Sequence, residues 1–177
     1  MSEQTPQPGS TPASGGRPAA THAKDPGREA LAACLPEFYA AVRDFPDLQV
    51  EPGLSDEAIA ALEARLDFRL SEGLKRLLRQ CAAISMNGVS LKAAEFGPIV
   101  MPSSEALIIG ELYLHNPGDR LLMLPGDETV YYLEQRNGAI TRLADSLTDF
   151  FNQTLPRHLY GSGRRRLPGC GAPVASG

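Results

Sequence analysis

Tryptophan is absent from this 177-residue chain, and cysteine occurs only three times, at Cys34, Cys81 and Cys170. An odd number of thiols at scattered spacing, with no Cys-x-x-Cys pair and no histidine cluster nearby, suggests neither a disulfide framework nor a zinc site. No stretch nears the roughly 20 consecutive apolar residues needed to span a bilayer. The N-terminus also lacks the basic start and apolar segment of a secretory signal, so the expectation is a cytoplasmic protein. Catalytic motifs are missing too. There is no P-loop, no Gly-x-Gly-x-x-Gly after a strand and no His-Glu-x-x-His. His22, His115 and His158 stand at no spacing from a Cys, Ser or carboxylate that suggests a triad or a metal centre. Ser162-Gly163 belongs to a Gly-rich tail and not to a nucleophile elbow. The reading predicts a protein that is not an enzyme, takes no cofactor or metal, and carries His115 as a rim residue.

What is present divides into three parts. Residues 1–27 mix Pro, Gly, Ser, Thr and Ala without apolar periodicity, and cannot bury enough surface to offset the entropy of ordering. Residues 161–177 are alike and carry Arg164-Arg165-Arg166, which is short of a basic patch for nucleic acid. Both are predicted to be disordered tails around one domain over 28–160. Between residues 55 and 160 fourteen acidic residues stand against ten basic ones, the same −4 as the whole chain. The acids are prominent in the later half. That asymmetry argues against nucleic acid and for a basic protein as partner.

The helical pattern comes first. Leu31, Leu35, Phe38, Tyr39 and Val42 predict a helix over Arg28 to Phe45, either kinked at Pro36 or restarted there as a shorter helix. Val50-Glu51-Pro52-Gly53 reads as a connector. Ser55 then caps a helix whose Ile59, Leu62 and Leu66 share one face, with Leu54 and Ile59 as a hydrophobic staple. Ser71 opens the next, in which Leu74, Leu77, Leu78 and Cys81 form an apolar stripe and Cys81 is a small core residue. Asn87-Gly88 closes that unit.

From Val89 the period becomes extended. Strands are predicted at 99–101, 106–115, 120–124, 129–134 and 139–143, separated by Asn116-Pro117-Gly118-Asp119, Pro125-Gly126-Asp127-Glu128 and Asn137-Gly138. Simple alternation puts Ile108, Leu112 and Leu114 on one face of the longest strand and Glu111, Tyr113 and His115 on the other. Asn137-Gly138 predicts a type I′ hairpin. A helix from Ser146, with Asp149 completing a capping box, carries Leu147, Phe150, Phe151 and Leu155 and ends at Pro156. The fold class is therefore α+β: N-terminal helices, an antiparallel sheet of about four to five strands, and a closing C-terminal helix packed on the sheet. One face of the sheet stays open to a partner.

Glu111, Asp119, Asp127, Glu128 and Glu134 gather on or beside consecutive strands and turns. Neighbouring carboxylates serve three ends: a divalent-cation site, an acid/base pair, or solvated residues that contact a protein. Turn chemistry alone accounts for Asp119 and Asp127, each after a glycine. Tyr113, Tyr131 and Tyr132 lie in the same strands, and adjacent Tyr131 and Tyr132 must face opposite ways, one into the core and one toward a partner. The candidate contact set is Glu111, Tyr113, Asp119, Asp127, Glu128, Tyr132 and Glu134.

The order of these pieces resembles the SMI1/KNR4 group of the SUKH superfamily over about residues 50 to 156. The shared phrases are Leu62-Glu63-Ala64-Arg65-Leu66, a leucine-striped helix followed by Asn87-Gly88, Gly118-Asp119 before a strand, Val130-Tyr131-Tyr132, and Ser146-Leu147-Thr148-Asp149-Phe150-Phe151. The chain departs from the family pattern in lacking tryptophan and in having no proline in the link Phe68-Arg69-Leu70-Ser71. The resemblance implies an immunity protein, a monomer or weak dimer, that neutralises a cognate bacterial toxin by direct stoichiometric binding, the toxin offering a basic surface. The alternative it implies is an intracellular regulatory or scaffold module, as in fungal members.

Overall fold

A computed structural model describes residues 25–113 and 116–161. The expectations for His22, Leu114, His115, Cys170, Arg164-Arg166 and nearly all of both tails lie outside the described residues.

Helix formation begins two residues earlier than the periodicity suggests, because Asp25 accepts the Gly27 and Arg28 N–H groups at 3.0 and 3.3 Å and caps α1 (Pro26–Cys34). Pro36 then opens α2 (Pro36–Val42) at its first position, where no N–H is needed. Ser55 caps α3 (Asp56–Leu66) through the Ala58 N–H at 3.2 Å, and Ser71 caps α4 (Glu72–Gln80) through that of Leu74 at 3.2 Å. Asp67, in the left-handed region at φ 48°, ends α3. Leu62 and Leu66 bury the inner side of α3. Glu63, between them, accepts the Leu70 N–H at 2.8 Å and pairs with Lys75 at 3.0 Å, so it fixes the link between α3 and α4.

Among the described residues eight strands form one antiparallel sheet: β1 (Gln49–Pro52), β2 (Cys81–Met86), β3 (Val89–Lys92), β4 (Gly97–Val100), β5 (Glu105–Leu112), β6 (Arg120–Met123), β7 (Val130–Leu133) and β8 (Ile140–Ala144). The order is β1-β2-β3-β5-β6-β7-β8, with β4 on the half of β5 that β3 leaves free. The expected four to five strands are thus three to four too few. The supposed connector at Val50 is the edge strand β1, the stretch from Cys81 to Gly88 read as the end of a helix and a turn is β2 with its hairpin turn, and the extended stretch from Val89 begins with β3, which no predicted strand covered. Cys81 is a core residue, as expected, but it begins a strand and does not continue the stripe of α4.

The face assignment of β5 also changes. Its register shifts between Ile108 and Gly110, so Leu107 and Ile109 face the core before the bulge and Leu112 after it, while Ile108 points outward opposite Leu122. At the β7–β8 connection only Gly138 has a positive φ, and Glu134 and Ala139 close a four-residue loop. The type I′ turn, which needs both central residues at positive φ, is therefore replaced by a longer one.

The closing segment starts as expected with Ser146 capping α5 (Leu147–Asp149). A wider π-turn over Phe150–Thr154 follows, then α6 (Leu155–Gly161). Pro156 does not end the helix. It sits in the first turn of α6, just beyond the π-turn, where its missing N–H is tolerated. The π-turn buries two adjacent rings: Phe150 and Phe151 pack edge to face at 5.2 Å, and Phe151 meets Phe38 of α2 at 5.0 Å. α2 has no side-chain cap of its own, and Asn152 accepts its Phe38 N–H at 3.2 Å from across the core.

Candidate functional site

Cross-strand register sorts the sheet into two faces, since residues directly opposite share a side. Val50, Ile84, Leu91, Leu112, Leu121, Met123, Val130 and Tyr132 belong to the core shared with the helices. The other face carries Gln49 and Glu51 of β1, Ser85 of β2, Ser90 and Lys92 of β3, Glu111 of β5, Arg120 of β6, Tyr131 and Leu133 of β7, and Ile140 and Arg142 of β8. Ile140 is 44% exposed.

Three charged pairs cross this face or its rim. Arg120 bridges to Glu111 on the neighbouring strand, Lys92 to Glu95 at 3.1 Å, and Arg142 to Asp145. The outer face is consequently mixed in sign, with Lys92, Arg120 and Arg142 set against its acids. Such exposed pairs add little stability. What they do is fix long side chains in place. At the β1-β2-β3-β5 end, short Ser85 and Ser90 leave an open groove of about 510 Å³ between Asp47, Gln49, Glu111 and Tyr113. The Tyr113 hydroxyl donates to Glu111 at 2.5 Å, and that carboxylate raises the phenol above its ordinary range.

The seven candidate contacts do not share one site. Glu111 and Tyr113 line the groove together. Asp127 stands at the rim near Tyr131, whose hydroxyl is 3.4 Å away. The Thr129 N–H at 2.9 Å is the main influence holding its carboxyl below the usual range. Glu134 sits in the β7–β8 turn, accepting from the Asn137 amide at 2.9 Å. The other three are structural. Asp119 is fully buried and accepts the Gln135 N–H at 2.9 Å, the Asn116 N–H at 3.2 Å and the Tyr132 hydroxyl. Tyr132 is the core member of its pair, so Tyr131 is the outward one. The Gly118-Asp119 step thus ties the turn before β6 to β7. Gly118 is needed there at φ 96°, with its missing Cβ only 2.2 Å from the Gln135 side chain.

Glu128 leaves its turn to reach α4, accepting the Gly73 N–H at 2.8 Å and the Ser71 hydroxyl at 3.2 Å. Together with Ser71 it satisfies two amides that a helix start leaves open. Glu128→Ala is expected to cost about 1–2 kcal/mol. A Cβ on Gly73 would lie 2.1 Å from the Glu128 carboxylate and displace it. In a Gly73→Ala background the cost of Glu128→Ala should accordingly shrink toward zero, a coupling that urea melts of the four proteins measure.

Lys92, Arg120 and Gln49 were not read as site residues, and of the pair Tyr131 and Tyr132 the contact set took the member that the structure buries. Only the strand assignment of β1–β3 places Gln49 and Lys92 in the groove with Glu111, and only the pairing across the Asp119 turn sets Arg120 opposite it.

Glu63 gives the clearest pH dependence. Burial pushes its carboxyl up, but the Lys75 ammonium and the Leu70 N–H outweigh this and hold it below its ordinary value, and Lys75 is raised in turn, chiefly by its hydrogen bond to Glu63. A depressed folded-state carboxyl contributes stability above its unfolded pKa of about 4.3 and loses it as pH falls. Acid titration of unfolding should therefore show a shallower loss below pH ~4 in Glu63→Gln than in the native chain.

No group of three or more metal-ligating side chains is gathered among the described residues, and no helix among them is long and apolar enough to cross a membrane. The family model for the SMI1 / KNR4 family (SUKH-1) matches residues 53–153. No curated protein and no solved structure matches the chain.

Proposed function

This chain belongs to the SMI1/KNR4 family (SUKH-1), and from that membership we propose that it is a cytoplasmic immunity protein, without catalytic activity, that binds a cognate bacterial toxin in a stoichiometric complex and so blocks it. The observation that carries the reading is the pairing of family membership with a sheet whose helices cover one face and whose other face carries the open groove and the exposed Tyr113.

The docking surface is the outer face centred on the groove, with Glu111 and Tyr113 inside it and Tyr131 and Asp127 farther along. Glu134 lies at the end of the same sheet. A half-exposed tyrosine fixed by a hydrogen bond suits an interface anchor, because its ring is ordered before binding. The toxin presents a basic surface to Asp47, Glu51 and Glu111, and the mixed charges beyond set its orientation. Complementary charge of this kind speeds association and makes it salt-sensitive.

The test starts with the full chain as bait in a lysate of its own organism, washed at low and then high salt. Co-expression of the retained protein with and without the chain follows. A single partner that arrests growth alone and is harmless with the chain present is the expected result. Several weakly held partners, none of them toxic, would replace this reading with that of a scaffold module.

A further inference from the structure

α6 brings the chain to one corner of the sheet. The Tyr160 hydroxyl donates to the Ala41 carbonyl, and its ring meets Phe45 at 6.3 Å. Burial raises the Tyr160 phenol above its ordinary range, and the Asp44 carboxylate nearby adds to the rise. Two residues beyond Phe45, Asp47 accepts the Asn87 N–H at 2.5 Å and lines the groove, while the adjoining Gly88 carbonyl accepts the Tyr113 N–H at 2.9 Å. The Asp47 and Tyr113 walls of the groove therefore stand at the corner where α6 ends.

Those walls suit a guanidinium. Tyr113 is 49% exposed, and its ring offers a face on which a planar cation stacks. Lys92 pairs with Glu95 and Arg120 with Glu111, but Asp47 and, farther along β1, Glu51 form no ion pair among the described residues. Matching charge lies close in the same chain. Arg164-Arg165-Arg166 begins three residues after Gly161. An extended stretch of three to five residues spans ~10–18 Å, and Asp47 is at most ~7 Å from Phe45, so the arginines reach the groove without unwinding α6.

We propose that Arg164-Arg165-Arg166 folds back onto the groove of its own chain and fills the place that the basic surface of a toxin takes. Single exposed contacts of this kind are weak. A tether of a few residues, however, holds the arginines at about millimolar concentration beside the groove, enough for contacts that fail between separate molecules. The free chain then divides between a closed and an open form. Only the open fraction binds toxin, which lowers the apparent affinity. The competition rests on the immunity reading, whereas the docking of the tail does not.

The experiment uses the full chain with Cys34→Ser, so that Cys170 carries a nitroxide while Cys81 stays buried. In the isotope-labelled protein at low salt, the amide signals of Ser85, Ser90 and Glu111 should lose most of their intensity, and those of Glu57 and Ala61 on the exposed side of α3 should keep theirs. Salt at about 1 M, where charges act over only ~3 Å, should restore the signals. Arg164→Ser, Arg165→Ser and Arg166→Ser together should do the same, and should tighten binding of the captured toxin about tenfold at low salt. Undiminished groove signals in the native tail, or a loss that survives the triple variant, would overturn the docking. An equal loss in an isotope-labelled chain mixed with a separate nitroxide-bearing copy would also overturn it, giving the groove to the tail of a second molecule. Unaltered toxin affinity in the triple variant would overturn the competition alone. A chain with no toxin partner would refute the immunity reading and the competition with it, while the signal loss would still decide the docking.

Discussion

Asp119→Ala is expected to lower the free energy of unfolding by about 3–5 kcal/mol, more than any other single polar change in the domain. The carboxylate is fully buried and accepts two backbone N–H groups and the Tyr132 hydroxyl. Deleting it strands three donors, each costing about 1–3 kcal/mol where water does not reach, and the turn carrying the first of them loses its anchor. Asp119→Asn keeps one acceptor oxygen but turns an amide toward donors, and should cost about half as much. Urea denaturation of the three proteins measures this directly. A loss under about 1 kcal/mol in the alanine variant would mean that the turn is held by its own backbone alone.

Phe150→Ala is expected to cost about 3–5 kcal/mol, the range for a fully buried aromatic ring reduced to a methyl group. The ring has no exposed surface and lies 5.2 Å from Phe151, which in turn contacts Phe38. Its loss opens a cavity in the core beside Phe151, the ring that meets α2. The neighbours cannot collapse into it easily, because Asn152 and Tyr160 fasten the same segment to α2 by hydrogen bonds to Phe38 N–H and the Ala41 carbonyl. Phe150→Leu keeps most of the volume and should lose about 1 kcal/mol. An unchanged thermal midpoint in Phe150→Ala would contradict the placement of the π-turn against the core.

Local rules were legible where the chain supplies both partners within one turn. Ser55, Ser71 and Ser146 cap as read, and the apolar faces of α3 and α4 are the buried ones. The caps delivered from far away were not legible. Neither Glu128 on α4 nor Asn152 on α2 follows from spacing, because 55 and 114 residues separate the partners. β2 was hidden for a related reason. Leu74, Leu77, Leu78 and Cys81 keep helical spacing up to the first residue of the strand, with no Gly or Pro between to mark the change. Missing β1, β2 and β3 in turn hid the groove, since three of its walls belong to them or their connections. The bulge at Gly110 is the remaining case: a period-2 reading that is correct on either side fails across one extra residue.

The same physics explains why the acidic residues misled. A carboxylate in the sequence looks like surface charge until its donors are known. Asp119 is buried among its own, Glu128 serves a helix, and Glu111 is shared between Arg120 and Tyr113. Burial left Tyr132 in the core and Tyr131 outside, a choice that alternation alone offers without deciding.

The central claim is that a toxin docks on the outer face of the sheet. The most direct measurement is calorimetric titration of the captured partner into the native chain, into a Glu51→Lys plus Tyr113→Ala variant, and into a Glu57→Lys control on the exposed side of α3. Thermal melts of all three check that they fold alike. The account predicts at least a roughly tenfold loss of affinity for the outer-face variant, about 1.4 kcal/mol, with a one-to-one stoichiometry and an unchanged control. Full affinity in the outer-face variant, with binding lost in the α3 control, would contradict it.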